Sequence, residues 1–125
     1  MILDTNALSA LLEGDPGVQT ILENAQDIYL PVIVLGEYQF GLIRSRARKP
    51  LMALLDRLQR LANVLSIDVE TVAPYAAIRD ELKQAGTPLP SNDVWIAALA
   101  RQHELPILSR DSHFDVVRRA ERIGW

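Results

Sequence analysis

Short apolar runs alternate along the chain with longer segments of helical periodicity. Met1-Ile2-Leu3 predicts a short buried strand, and a helix follows from about Thr5 to Glu13. Gly14-Asp15-Pro16-Gly17 predicts a turn, and a second helix runs to about Ala25. Ile28-Tyr29-Leu30 predicts a second strand. Pro31, with its fixed φ, suits the first turn of a helix that continues through Glu37 to about Arg44. Beyond Pro50 a helix is expected from about Leu51 to Leu61, then a third strand at Val64-Leu65-Ser66-Ile67. Val69 to Ala85 predicts a long helix, irregular at Pro74 and stopped by Gly86. After the loop Thr87-Pro88-Leu89-Pro90, Ser91 or Asn92 is expected to cap a nearly all-apolar helix reaching about His103. Pro106 to Ser109 predicts a fourth strand and Ser112 to Ala120 a last helix. Arg122 to Trp125 is expected to add an edge strand.

This alternation predicts an α/β fold: a single-domain, three-layer α/β/α sandwich around a mostly parallel central sheet, spanning residues 1–125. A chain of 125 residues suffices for one core of its own. In such folds ligands sit outside the carboxyl ends of the strands. Asp4 immediately follows the first strand and Asp111 closely follows the fourth, so the topology gives a reason to expect them together.

Composition narrows the chemistry. The absence of cysteine removes disulfides, thiolate metal sites and a cysteine nucleophile. No basic leader precedes an apolar stretch, and no apolar run approaches the ~20 residues of a membrane helix, so a cytoplasmic location is expected. A net charge of −3 argues against a protein that grips nucleic acid through its global field. An acidic, metal-filled site with a local basic patch still fits. Eleven of the thirteen basic residues are arginine, the better shape for phosphate. Arg44, Arg46, Arg48 and Lys49 form the densest basic stretch and are candidates to meet a phosphate backbone, a solvated helix end and loop being the plainer reading. Arg118, Arg119 and Arg122 make a second such candidate, and Arg110 could meet substrate or pair with an acid.

Three acids have ordinary local explanations. Asp4 and Asp111 could cap helices, and Asp93 lies in a first helical turn, where a carboxylate suits the macrodipole. Glu37 does not. Its helical neighbours are Ile33, Val34, Phe40 and Gly41, with no lysine or arginine within one turn. A carboxylate on such a face is partly desolvated and calls for a distant arginine or a metal.

Four motifs then carry a resemblance. They are Ile2-Leu3-Asp4-Thr5-Asn6 after the first strand, Glu37 in an apolar helix with Gly41 four residues on, Asn92-Asp93-Val94-Trp95-Ile96-Ala97-Ala98, and Ser109-Arg110-Asp111-Ser112-His113-Phe114-Asp115. In this order they span nearly the whole chain, and the sequence resembles PIN-domain proteins, more narrowly the VapC-type toxin ribonucleases of toxin–antitoxin modules. Ser109 stands where threonine is common, which keeps the hydroxyl. The resemblance implies a Mg²⁺ or Mn²⁺ site built by Asp4, Glu37, Asp93 and Asp111, with Asp115 as a helper and Thr5, Asn6 and Ser109 as supporting donors. It implies a metal-dependent endoribonuclease that leaves a 5′-phosphate and a 3′-hydroxyl, usually a homodimer, silenced by an antitoxin whose arginine enters the acidic pocket. Leu8, Leu11 and Leu12, with Leu35, Tyr38 and Leu42, offer apolar surface for the core, a dimer or an antitoxin helix.

The chemistry is coherent with that set. Clustered carboxylates repel one another, and a hard cation removes the conflict. No histidine is required as base. His113 is expected to orient its loop and His103 to lie at the surface. A receiver domain would need paired acids after the first strand and a suitably placed lysine, and a dehalogenase-type phosphatase would need Asp-x-Asp there. Asp4-Thr5-Asn6 supplies neither. A catalytically idle PIN-fold scaffold binding RNA or protein is the remaining alternative.

Overall fold

The computed structural model describes residues 1–125. The elements are β1 (Ile2–Leu3), α1 (Thr5–Leu12), α2 (Pro16–Glu23), β2 (Tyr29–Pro31), α3 (Val32–Leu42), α4 (Arg48–Leu61), β3 (Asn63–Leu65), α5 (Val69–Ala85), α6 (Ser91–His103), β4 (Ile107–Leu108), a 3₁₀ helix (Ser112–Val116) and β5 (Arg122–Ile123). All strand pairs are parallel, in the order β3-β2-β1-β4-β5. The chain moves outward from β1 through β2 to β3, then returns to add β4 and β5 on the other side of β1. With right-handed crossovers, that reversal puts α5 and α6 on the face opposite the earlier helices. It also makes the β1/β4 boundary the topological switch point, where the carboxyl ends of adjacent strands diverge into a crevice.

The central strands β1 and β4 are wholly internal, whereas β3 and β5 form the more exposed edges. Ile2, Leu3, Leu30, Ile107 and Leu108 have no exposed surface, and they meet Leu8, Leu99 and Phe114 in one core. α6 carries the consecutive buried run Ile96 to Ala100, as its all-apolar sequence requires. α5 runs unbroken through Pro74 and ends on Gly86 in the left-handed conformation, φ 71°. It is fastened to α6 at three levels. Asp68 caps α5 and accepts from Gln102, Tyr75 stacks on Trp95 with ring centroids 3.6 Å apart, and Glu81 takes the Arg101 guanidinium through two bonds of 3.0 and 3.2 Å.

Several expectations are corrected. The last helix is only the 3₁₀ turn Ser112–Val116, since Val117 is already extended and Arg119 takes φ 55°. Pro31 ends β2 and precedes α3 rather than sitting in its first turn. β3 lies at Asn63–Leu65, earlier than expected, and α4 starts at Arg48, ahead of Pro50. Neither Ser91 nor Asn92 caps α6, which follows Pro90 with no side-chain cap. Of the three places open to them, Leu8, Leu35, Tyr38 and Leu42 take the core, with Leu11 and Leu12 packed against it. The exposed apolar residues of α3 and its C-cap are Val32, Phe40 and Ile43, of which Phe40 is 79% exposed.

Candidate active site

The switch point gathers acids from four elements. Asp4, the first residue beyond β1, is buried and caps α1: its Oδ1 accepts from the Ala7 backbone N–H at 3.1 Å. Its Oδ2 accepts from Asn6 Nδ2 at 3.0 Å and from the Ser109 hydroxyl. Ser109 follows β4 and is fully buried. Its Oγ also accepts the Asp111 backbone N–H at 2.9 Å, so one hydroxyl ties the ends of β1 and β4 together. Asn6 spans the same gap, its Oδ1 accepting the Arg110 backbone N–H at 3.0 Å.

Asp111 caps the 3₁₀ helix through the His113 N–H at 2.9 Å, and His113 Nδ1 approaches the same Oδ1 at 3.1 Å. Asp93 projects from the first turn of α6. One ligand atom each from Asp93, Asp111 and His113 lie within 4.8 Å of one another. Glu37 reaches in from the second turn of α3. Its Oε2 accepts from Thr5 Oγ1 at 2.6 Å and its Oε1 from Asn92 Nδ2. The partner of Glu37 is thus two neutral donors and not an arginine.

The acids are short of compensating charge. Burial pushes the Asp4 carboxyl above the usual carboxylate range, opposed by its bonds from Ser109, Ala7 and Asn6, and Asp111 adds to the rise. Asp93 is also raised, first by burial and then by the charges of Asp111, Glu37 and Asp4. Together these acids line an open cleft of about 750 Å³ that also includes Thr5, Asn6, Glu13, Asp15 and Arg110.

Other residues singled out in the sequence lie elsewhere. Asp115 does not face the cleft, since Arg122 takes both its oxygens at 2.7 and 3.0 Å and a further nitrogen of Arg122 donates to the Ser109 carbonyl. Arg122 is therefore engaged and is no free basic patch. Arg44, Arg46, Arg48 and Lys49 are exposed and outside the cleft walls. His103 is exposed at the end of α6, as expected. His113 orients the loop through Asp111, in line with the sequence, whereas Asn92 was read as a helix cap and not as a contact of Glu37. Asn92 stands next to Asp93 in a first helical turn, which was the only available signal.

Fold and site together define an acidic, oxygen-donor centre at the switch point of a parallel α/β sheet. The PIN domain matches residues 1–120, and the chain belongs to the PIN-domain family. It is similar to the toxin FitB of Neisseria gonorrhoeae, 30% identical over 122 residues covering 90% of this chain and 88% of the relative. It is also similar to ribonuclease VapC5 of Mycobacterium tuberculosis, 25% identical over 115 residues covering 90% and 84% of the two chains. Among solved structures, FitAcB from Neisseria gonorrhoeae shares 30% identity and a TM-score of 0.81, covering 98% of this chain and 95% of that one. VapBC2 from Rickettsia felis, bound to a promoter DNA fragment, has a TM-score of 0.89 at 22% identity and covers 99% and 97% of the two chains, a likeness of fold.

Proposed function

We propose that this protein is a metal-dependent endoribonuclease, the toxin of a VapBC-type toxin–antitoxin pair, acting in the cytoplasm. The observation that carries the reading is the convergence of Asp4, Glu37, Asp93 and Asp111 on one cleft from four separate elements, with two of them raised by burial and mutual repulsion. Relatives named as ribonucleases and toxins support it. The same convergence disfavours an idle scaffold, for which uncompensated carboxylates are only a cost.

The donor set fits Mg²⁺ or Mn²⁺. It offers carboxylate oxygens, no thiolate, and an imidazole only at its exposed margin. Asp4, Asp93 and Asp111 would hold the ion, with Glu37 beside them. Such an ion, when bound, supplies Lewis-acid charge at a phosphodiester and favours water as the nucleophile. The chain's own residues fix the orientation. Ser109 and Asn6 aim Asp4, Thr5 and Asn92 hold both oxygens of Glu37, and His113 steadies Asp111. The partners are an RNA substrate, a cognate antitoxin and a second copy of the chain. Val32 and Phe40 on α3, with Ile43 at its C-cap, offer apolar surface for one of the protein partners.

The test compares purified wild type with Asp4→Asn and Asp93→Asn on structured RNA, with Mg²⁺ or Mn²⁺ and with EDTA. Cleavage should need the ion and fall by orders of magnitude in both variants. Wild-type cleavage by either variant would show that the site is misassigned.

A further inference from the structure

A cleft walled by carboxylates repels a polyanion, so a substrate phosphate needs a cation at its margin. Arg110 is the only basic residue lining the cleft. Its position is built rather than left to solvent. The backbone N–H donates to Asn6, one guanidinium nitrogen donates to Asp15 Oδ2 at 3.1 Å, and the guanidinium carbon stands 4.7 Å from the centre of the Trp125 ring. Asp15 is itself fixed, since its Oδ1 caps α2 through Gly17 and Val18. Trp125 lies against the first turn of α2, where a Cβ on Gly17 would stand 3.3 Å from the indole. The indole N–H is buried with no acceptor, and the contact Trp125 makes with Arg110 is through its ring. The Arg110 side chain remains 57% exposed, and of its five donors only those on one nitrogen are engaged.

We infer that Arg110 is a phosphate-binding residue of the nuclease, and that Trp125 and Asp15 are its positioning residues. The guanidinium is seated by Asp15 and Trp125 on the wall of the same cleft that the acids line. This inference rests on the ribonuclease reading. A pre-oriented planar fork suits a phosphate held by paired N–H bonds, which a lysine cannot reproduce.

The experiment measures binding of a short mixed-sequence, fluorescein-labelled single-stranded RNA by anisotropy, on the Asp93→Asn background, between about 50 and 200 mM salt. Adding Arg110→Ala should weaken binding about tenfold and flatten the log–log salt slope by about 0.7, the loss of one phosphate contact to a single strand. Arg110→Lys should restore the slope and only part of the affinity. Trp125→Ala should weaken binding while keeping the slope, because the charge stays but loses its seat, and Trp125→Phe should recover most of the affinity. Asp15→Asn, which keeps the cap oxygen, should behave as Trp125→Ala does. Unchanged affinity and slope in Arg110→Ala overturn the phosphate role. Wild-type binding by Trp125→Ala overturns the positioning role. Cleavage separates the two readings: an inactive Asp93→Asn protein whose RNA binding ignores Arg110 leaves the nuclease standing and removes the phosphate role of Arg110. Wild-type cleavage by Asp93→Asn removes the nuclease itself.

Discussion

Replacing Asp93 with asparagine should stabilise the metal-free protein while destroying its response to metal. Asp93 and Asp111 present oxygens within 4.8 Å of each other. Two unit charges at that separation repel by about 0.9 kcal/mol in bulk water and about 3.5 kcal/mol at an effective dielectric of 20. Asp93 is half-buried and the Asp111 side chain is 33% exposed, so the effective value lies toward the lower figure. Asp93 also sits in the first turn of α6, where its charge gains roughly 0.5 kcal/mol from the macrodipole. The net relief is about 1 kcal/mol, or a rise in Tm of about 3–5 °C for a chain of this length. Thermal unfolding by circular dichroism at neutral pH, in EDTA, reads it directly. In saturating Mn²⁺ the order should invert, because wild type gains binding free energy that the variant has lost. A variant that melts below wild type in EDTA would refute the reasoning, since Asp93 would then be a stabilising group and not a strained one. Equal stabilisation of both proteins by Mn²⁺ would refute the metal assignment separately.

Ser109→Ala removes a buried hydroxyl that donates to Asp4 and accepts from Asp111, and should destabilise by about 1–3 kcal/mol in urea unfolding. It should also weaken Mn²⁺ binding at mildly acid pH, because the Ser109 bond is the largest influence holding the Asp4 carboxyl down. The pH dependence of metal-free stability follows from the raised carboxyls of Asp4 and Asp93. The folded protein keeps protons that the unfolded chain has released, so stability falls as pH rises through the raised values and returns on mild acidification. Tm measured from neutral pH toward the ordinary carboxylate range should therefore rise in wild type and rise less in Asp93→Asn. Glu81→Gln leaves the Arg101 guanidinium, 7% exposed, without its counter-charge, at a cost of about 1–3 kcal/mol. The lower end is expected because Glu81 is 39% exposed, and a Tm scan checks it.

The alternation of apolar runs was enough for the fold class, but it failed where backbone conformation and not periodicity decides. Phe114, Val117 and Ala120 are all buried and spaced three apart. That spacing imitates a helical face, yet it is carried by one 3₁₀ turn, an extended Val117 and a left-handed Arg119, and no residue there signals positive φ. Asn92 has the chemistry of a helix cap, but its amide is taken by Glu37 across the cleft, an encounter set by the α3–α6 packing. Asp115 looked like a site residue from its position beyond Asp111. Whether it faces the cleft depended on Arg122 in β5, and on a glycine at 124 whose missing Cβ leaves room for that guanidinium.

Asp4 and Asp111 are at once helix caps and walls of the cleft, and the topology makes the two roles coincide. In an all-parallel sheet each strand-to-helix junction opens at the same edge, so every N-cap beside the switch point faces one crevice. A carboxylate that caps uses one oxygen on a backbone N–H and keeps lone pairs for the crevice, as the two oxygens of Asp4 illustrate. The cap is then what makes the acid rigid. Glu37 stands apart because it lies at no junction. It enters from the second turn of α3 and needs Thr5 and Asn92 to hold it. The residue with no local explanation in the sequence is thus the one whose place depends wholly on tertiary partners.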